Sequence, residues 1–285
     1  MGSGIVVFVS VTVTLYQLST YSLKTSPEHP MTQSFHGSPC WYELSTSDLA
    51  AAQTFYSSIL GWTVADSGMP GMDYRLAKAN GAMVAGMMTA RDGQSTAWTI
   101  YFAVENCDKT FALATSLGAT AISPPADIPN TGRFALLMDP EGAAFGILQP
   151  QPTADGSMGD AFNQAKRGHG NWNELITTDP AGALDFYAKL FGWTRVRSVE
   201  MGPEMTYHII GWNGLEIGGT FAPASGMGGS RWKPYFGIDS AGAAAVQIAK
   251  SGGTVTSGPD EVPGGAFTLQ IHDPQGCELG LVGPA

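Results

Sequence analysis

The chain has 285 residues, 44% of them apolar and only 13% charged, with 37 glycines. That is enough apolar chain to bury a substantial core, and it fits one or two globular domains. A formal net charge of −10, with no basic stripe and no polybasic segment, argues against nucleic-acid and membrane-surface partners, both of which need clustered Lys and Arg.

In chain order, the first feature is an apolar stretch, residues 5–18. It is too short to cross a bilayer as a helix, and no Lys or Arg precedes it as a signal peptide requires. Residues 1–35 are expected outside the fold, as an upstream extension or, alternatively, a cleaved export signal.

From Cys40 the sequence CWYELSTSDLAAAQTFYSSILGWTV is matched by NWNELITTDPAGALDFYAKLFGWTR from Asn171, so Trp41 pairs with Trp172 and Glu43 with Glu174, 131 positions apart. Further on, Trp98 pairs with Trp232 and Asp139 with Asp273, 134 positions apart. So small a drift over so long a stretch means that a whole domain has been duplicated. The boundaries read from it are a first domain at 36–150, a Pro- and Gly-rich linker at 151–167 and a second domain at 168–285.

Within the first copy, residues 41–44 alternate as a short strand. Asp48 is placed to cap a helix whose stripe is Phe55, Tyr56, Ile59 and Leu60, and Gly61 ends it. Strands follow near 62–67, 72–78 and 82–88. The order then recurs: a strand at 98–104, a helix near 107–117, and strands near 119–123, 133–138 and 143–149. The last two are joined by an Asp-Pro-x-Gly turn, Asp139 to Gly142. The second copy repeats this order, with Asp179 and Pro180 opening its first helix and Asp273 to Gly276 forming its last turn.

A doubled βαβββ unit, a helix ending F-Y-x-x-x-x-G-W and a late D-P-x-G turn resemble the vicinal-oxygen-chelate superfamily: glyoxalase I, extradiol dioxygenases and bleomycin-resistance proteins. With its W-x-E-L strand in duplicate, the chain looks most like two-domain bacterial glyoxalase-like proteins. The resemblance implies an α+β fold of two tandem domains. In each, eight strands curl into a half-open barrel around a concave pocket. It also implies four metal-ligand positions per domain. Carried over, these are Trp41, Ala85 or Gly86, Thr99 and Gly146, then Trp172, Gly218 or Gly219, Lys233 and Gly280. None makes a plausible ligand set. No metal cofactor is therefore expected at these positions, the alternative being a divalent metal held by a non-standard set.

Alternation puts residues two apart on one face. Glu43 joins Trp41, and Glu174 joins Trp172, on the faces expected to line the pockets. Thr99 with Tyr101, Lys233 with Tyr235, and Glu278 near Gly280 are the other candidate ligand-binding residues. Glu43 and Glu174 are the candidate catalytic residues. A carboxylate between apolar walls has its proton affinity raised and can serve as a general base, while Lys233 is placed to keep Glu174 ionised. A structural Glu satisfied by local donors is the other reading of both. The expected partner is a small organic molecule, either acted on as in aldehyde or xenobiotic detoxification or sequestered without turnover. The expected assembly is a monomer or homodimer. Three scattered cysteines, Cys40, Cys107 and Cys277, without C-x-x-C spacing, fit a reducing cytoplasm.

Overall fold

The computed structural model describes residues 34–285 apart from 70, 92, 152–158, 203–204, 224–227 and 263. The N-terminal extension, up to residue 33, lies outside the described residues.

The first copy runs β1 (Pro39–Thr46), α1 (Leu49–Leu60), β2 (Thr63–Asp66), β3 (Tyr74–Ala79), β4 (Ala82–Thr89), β5 (Ala97–Ala103), α2 (Cys107–Ser116), β6 (Thr120–Ile128), β7 (Gly132–Met138) and β8 (Ala144–Pro150). The second runs β9 (Gly170–Ile176), α3 (Pro180–Phe191), β10 (Thr194–Glu200), β11 (Thr206–Trp212), β12 (Leu215–Phe221), β13 (Arg231–Gly237), α4 (Ala241–Lys250), β14 (Thr254–Val262), β15 (Ala266–His272) and β16 (Glu278–Gly283). Each copy forms one eight-stranded sheet, β2-β3-β4-β1-β5-β8-β7-β6 and β10-β11-β12-β9-β13-β16-β15-β14. The outer strands do not meet, so both sheets are half-open. The two βαβββ units of a copy join through the antiparallel pairs β1–β5 and β9–β13. Among the described residues no helix is long and apolar enough to cross a membrane.

Local chemistry sets the helix limits. The Asp48 carboxylate accepts from the Ala51 N–H and the Asp179 carboxylate from the Gly182 N–H, so each satisfies a backbone donor that the first turn leaves free. Gly61 and Gly192 end α1 and α3 in the left-handed conformation, at φ 71° and 73°, which a side chain would disfavour.

The two copies share one core. Trp62 lies 5.2 Å from Phe236, Phe102 4.8 Å from Trp193 and Phe145 5.5 Å from Tyr187. Polar links cross in reciprocal pairs. Trp62 Nε1 donates to Gly168 O, and Trp193 Nε1 to Gly37 O. Tyr56 donates to Asp273 Oδ2 at 2.9 Å, and Tyr187 to Asp139 Oδ2 at 3.0 Å. The aspartates of the two D-P-x-G turns thus do more than shape a turn: each receives the phenol of the other copy's first helix. Burial of their charge pushes both carboxyls above the ordinary carboxylate range, against the turn N–H groups and the phenol that donate to them.

Candidate functional site

In β1, Tyr42 and Leu44 are fully buried against the shared core, while Trp41 and Glu43 stand on the opposite, concave face. The β5 register sets Tyr101 opposite Trp41 and Thr99 opposite Glu43. From β3, Tyr74 reaches the same face. Its hydroxyl donates to Glu43 Oε2 and that of Tyr101 to Glu43 Oε1, both at 2.9 Å, and Trp41 Nε1 donates to the Tyr74 oxygen at 3.2 Å. Desolvation raises the proton affinity of Glu43, and the two phenol hydrogen bonds only partly oppose it. Among the described residues Glu43 has no ion pair.

The surrounding face is apolar. The register places Leu76 beside Gly86, Leu136 beside Gly146, Phe134 beside Leu148 and Met138 beside Ala144, all on the face of Glu43 and Tyr101.

The second copy repeats the hydrogen-bond chain. Trp172 Nε1 donates to Tyr207 at 2.9 Å, and Tyr207 and Tyr235 donate to the two oxygens of Glu174 at 3.1 Å each. What differs is the cation. Lys233, opposite Glu174 in the register, sets Nζ 2.8 Å from Glu174 Oε2 and 2.8 Å from Gln270 Oε1, with Glu278 Oε1 at 3.6 Å. Burial alone would raise the Glu278 carboxyl, yet Arg231 and Lys233 together hold it below the usual range. Glu174 and Lys233 are only 5% and 6% exposed, so this face is closed by its own charges. A second cluster of Ile176, Tyr207, Ile209 and Phe221, with Trp172 packed on it, fills the neighbouring half.

The structure therefore brings Trp41, Glu43, Thr99 and Tyr101 together on one face, and Trp172, Glu174, Lys233, Tyr235 and Glu278 on the other. Sequence reasoning missed Tyr74 and Tyr207. Their signal was a repeated Met-x-Tyr, Met72 to Tyr74 and Met205 to Tyr207. It also missed Gln270 and Arg231, which have no counterpart of the same type in the first copy.

The residues at the carried-over ligand positions do not fit a divalent metal. A side chain at Gly86 would strike the Tyr74 hydroxyl, and one at Gly146 the Tyr101 ring; Gly219 and Gly280 stand in the same relation to Tyr207 and Tyr235. Phenol rings occupy the space in which ligand side chains from those strands would extend. Among the described residues no three His, Cys, Asp or Glu side chains stand close enough together to hold an ion.

Comparison with known proteins agrees with this architecture. Residues 41–148 match the glyoxalase-like domain family, and residues 169–281 match the glyoxalase/bleomycin resistance protein/dioxygenase superfamily. The chain is 32% identical over 255 residues to CFP32 of Mycobacterium tuberculosis, a protein named as a glyoxylase, covering 87% of this chain and 95% of that one. It is 28% identical over 276 residues to the anthracycline biosynthesis protein DnrV of Streptomyces peucetius, covering 88% and 95%. Among solved structures it is similar to a Mn(II)-bound glyoxalase from Novosphingobium aromaticivorans (TM-score 0.59, 16% identity, 87% of this chain and 82% of that one). It is also similar to a variant of homoprotocatechuate 2,3-dioxygenase from B. fuscum (TM-score 0.64, 17% identity, 89% and 73%). With both halves matched and a relative above 30% identity spanning most of its length, the chain belongs to the glyoxalase/bleomycin resistance protein/dioxygenase superfamily, as a tandem two-domain member.

Proposed function

We propose that the concave face of the first copy binds a flat, apolar small molecule without a metal ion, and that Glu43 engages its one polar group. The observation that carries this reading is a single carboxylate, gripped by Tyr74 and Tyr101, set in an apolar and aromatic wall. Such a site gains affinity from apolar burial and orientation from one convergent polar group. The names of the relatives, a glyoxylase and an anthracycline biosynthesis protein, agree with small organic molecules as ligands.

The test is a thermal-shift and Trp-fluorescence screen of fused-ring aromatic compounds, before and after EDTA. Ligands that bind the native state raise the melting temperature. The expected result is binding that survives chelation and weakens in Trp41→Ala. Binding that needs an added divalent ion, or that is unchanged in Trp41→Ala, refutes it.

Turnover is the second reading, and the raised proton affinity of Glu43 favours it. A carboxylate shifted toward the working pH is a competent general base, and its loss lowers rates by roughly a hundredfold or more. On this reading Glu43→Gln abolishes product formation from a ligand it still binds; on the binding reading no product forms from any ligand. Glu174, paired with Lys233, takes the structural role in both.

A further inference from the structure

Duplication supplies an internal comparison, because the same hydrogen-bond chain from Trp through Tyr to Glu stands in both copies with different surroundings. Substitutions at the facing positions separate the two carboxylates. Opposite Glu174 stands Lys233, and opposite Glu43 stands Thr99. Beside Gly280 stands Gln270, and beside Gly146 stands Leu136. Where Glu278 faces His272, Ala144 faces Met138.

Each change replaces a longer polar side chain with a shorter or apolar one. Together they remove the internal ammonium, its Gln acceptor and its second carboxylate, and put the shorter Thr99 and the apolar Leu136 and Ala144 at those positions on the face of Glu43. The carboxylate and its two phenol donors are kept. A half-buried carboxylate without a counter-charge is costly to maintain, and a cation brought to it gains more than it would in open water. The chain as a whole, at −10, attracts cations.

We propose that the ligand of the first copy carries a protonated amino group, which takes in front of Glu43 the place that the Lys233 ammonium takes in front of Glu174. The inference rests on the reading of that face as a small-molecule site and adds the charge of the ligand. The class is a flat apolar body bearing a primary or secondary amine. The ammonium donates to Glu43, the apolar body lies along Leu136, Met138 and Phe134, and Thr99 admits the amine where a lysine would exclude it. The second copy, already holding its own ammonium, takes no such ligand, so one amine binds per chain.

The probes are 2-naphthylmethylamine and the nearly isosteric neutral alcohol 2-naphthalenemethanol, titrated calorimetrically at pH 7 into the full chain and into Glu43→Gln and Thr99→Lys. The expected result is a stoichiometry of one and at least tenfold tighter binding of the amine than of the alcohol. Glu43→Gln removes that preference. Thr99→Lys weakens the amine tenfold or more, and by a larger factor than it weakens the alcohol. Comparison of the two probes on the unmodified chain does not depend on any variant folding, and the variants count only where their melting temperatures stay close to the parent's. Equal binding of amine and alcohol overturns the amine proposal while leaving the apolar face intact. A preference that persists in Glu43→Gln, or an amine affinity unchanged by Thr99→Lys, also overturns it. Failure of both probes to bind defeats the small-molecule reading itself.

Discussion

Substituting Tyr56→Phe tests whether the two copies are clamped into one folding unit by their reciprocal phenol–aspartate bonds. The Tyr56 oxygen donates to Asp273 Oδ2 at 2.9 Å and accepts from Trp98 Nε1 at 3.2 Å. The other oxygen of Asp273, Oδ1, is taken by the N–H groups of Gln275 and Cys277. Asp273 is 3% exposed and Trp98 5%, so no water replaces the lost hydroxyl. A hydrogen bond to a charged group is worth about 1.5–3 kcal/mol, and an orphaned buried donor costs about 1–3 kcal/mol. The two overlap in part, and the expected loss is about 3 kcal/mol. For a chain of this size that lowers Tm by roughly 6–12 °C. The assay is urea unfolding followed by Trp fluorescence and near-ultraviolet circular dichroism, with Asp273→Asn completing a double-mutant cycle. The two probes are expected to report one transition, because the bond spans both copies. A loss below about 0.5 kcal/mol, the range of an ordinary surface substitution, or separate unfolding of the two halves, refutes the clamp.

Two further expectations concern the carboxylate. Burial lifts the folded Glu43 above the ordinary value of 4.5, so the folded state binds its proton more tightly than the unfolded state. The stabilisation linked to that proton is complete below about 4.5 and is lost as pH rises through the folded pKa, at about 1.4 kcal/mol per pH unit. Glu43→Gln is therefore expected to melt higher than the parent at pH 8 and to converge with it at pH 4; a gap independent of pH contradicts the assigned burial. In Gly146→Ala the new methyl meets the Tyr101 ring, which must swing away from Glu43. The expected cost is about 1–3 kcal/mol from overpacking, with weaker binding at the first copy, and an unchanged melting temperature and affinity count against the packing described.

The periodic features were legible in the sequence because each depends on neighbours close along the chain. Asp48, Phe55, Tyr56 and Gly61 define a helix by themselves, and alternation alone put Trp41 and Glu43 on one face. The contacts of Tyr56 were not legible. Its stripe marks it as core, but its partner Asp273 is 217 positions away and belongs to the other copy. A D-P-x-G turn explains its aspartate locally without requiring a distant donor. Tyr74 escaped for a related reason. It reaches Glu43 across β4, over Gly86, whose missing side chain leaves the ring room. That approach is set by sheet register, which composition and periodicity do not report.

The comparison between copies also bears on why the same carboxylate stands in both. A purely structural Glu would need the same support in both places, and it has that support in Tyr74 and Tyr101, and in Tyr207 and Tyr235. A structural role does not account for the asymmetry beyond those phenols. In the second copy Lys233, Gln270, Glu278 and Arg231 form a closed ionic network around Glu174, as a buried charge requires. In the first, the matching positions give Glu43 no compensating charge, and its two oxygens have only the phenols of Tyr74 and Tyr101 as donors among the described residues. Maintaining that arrangement costs stability, and the second copy shows that the same fold accommodates the remedy. A local cost of this kind is retained where a partner relieves it, which is the ground for the proposal that the ligand binds at the first copy, while the two copies are tied together through Tyr187 and Asp139.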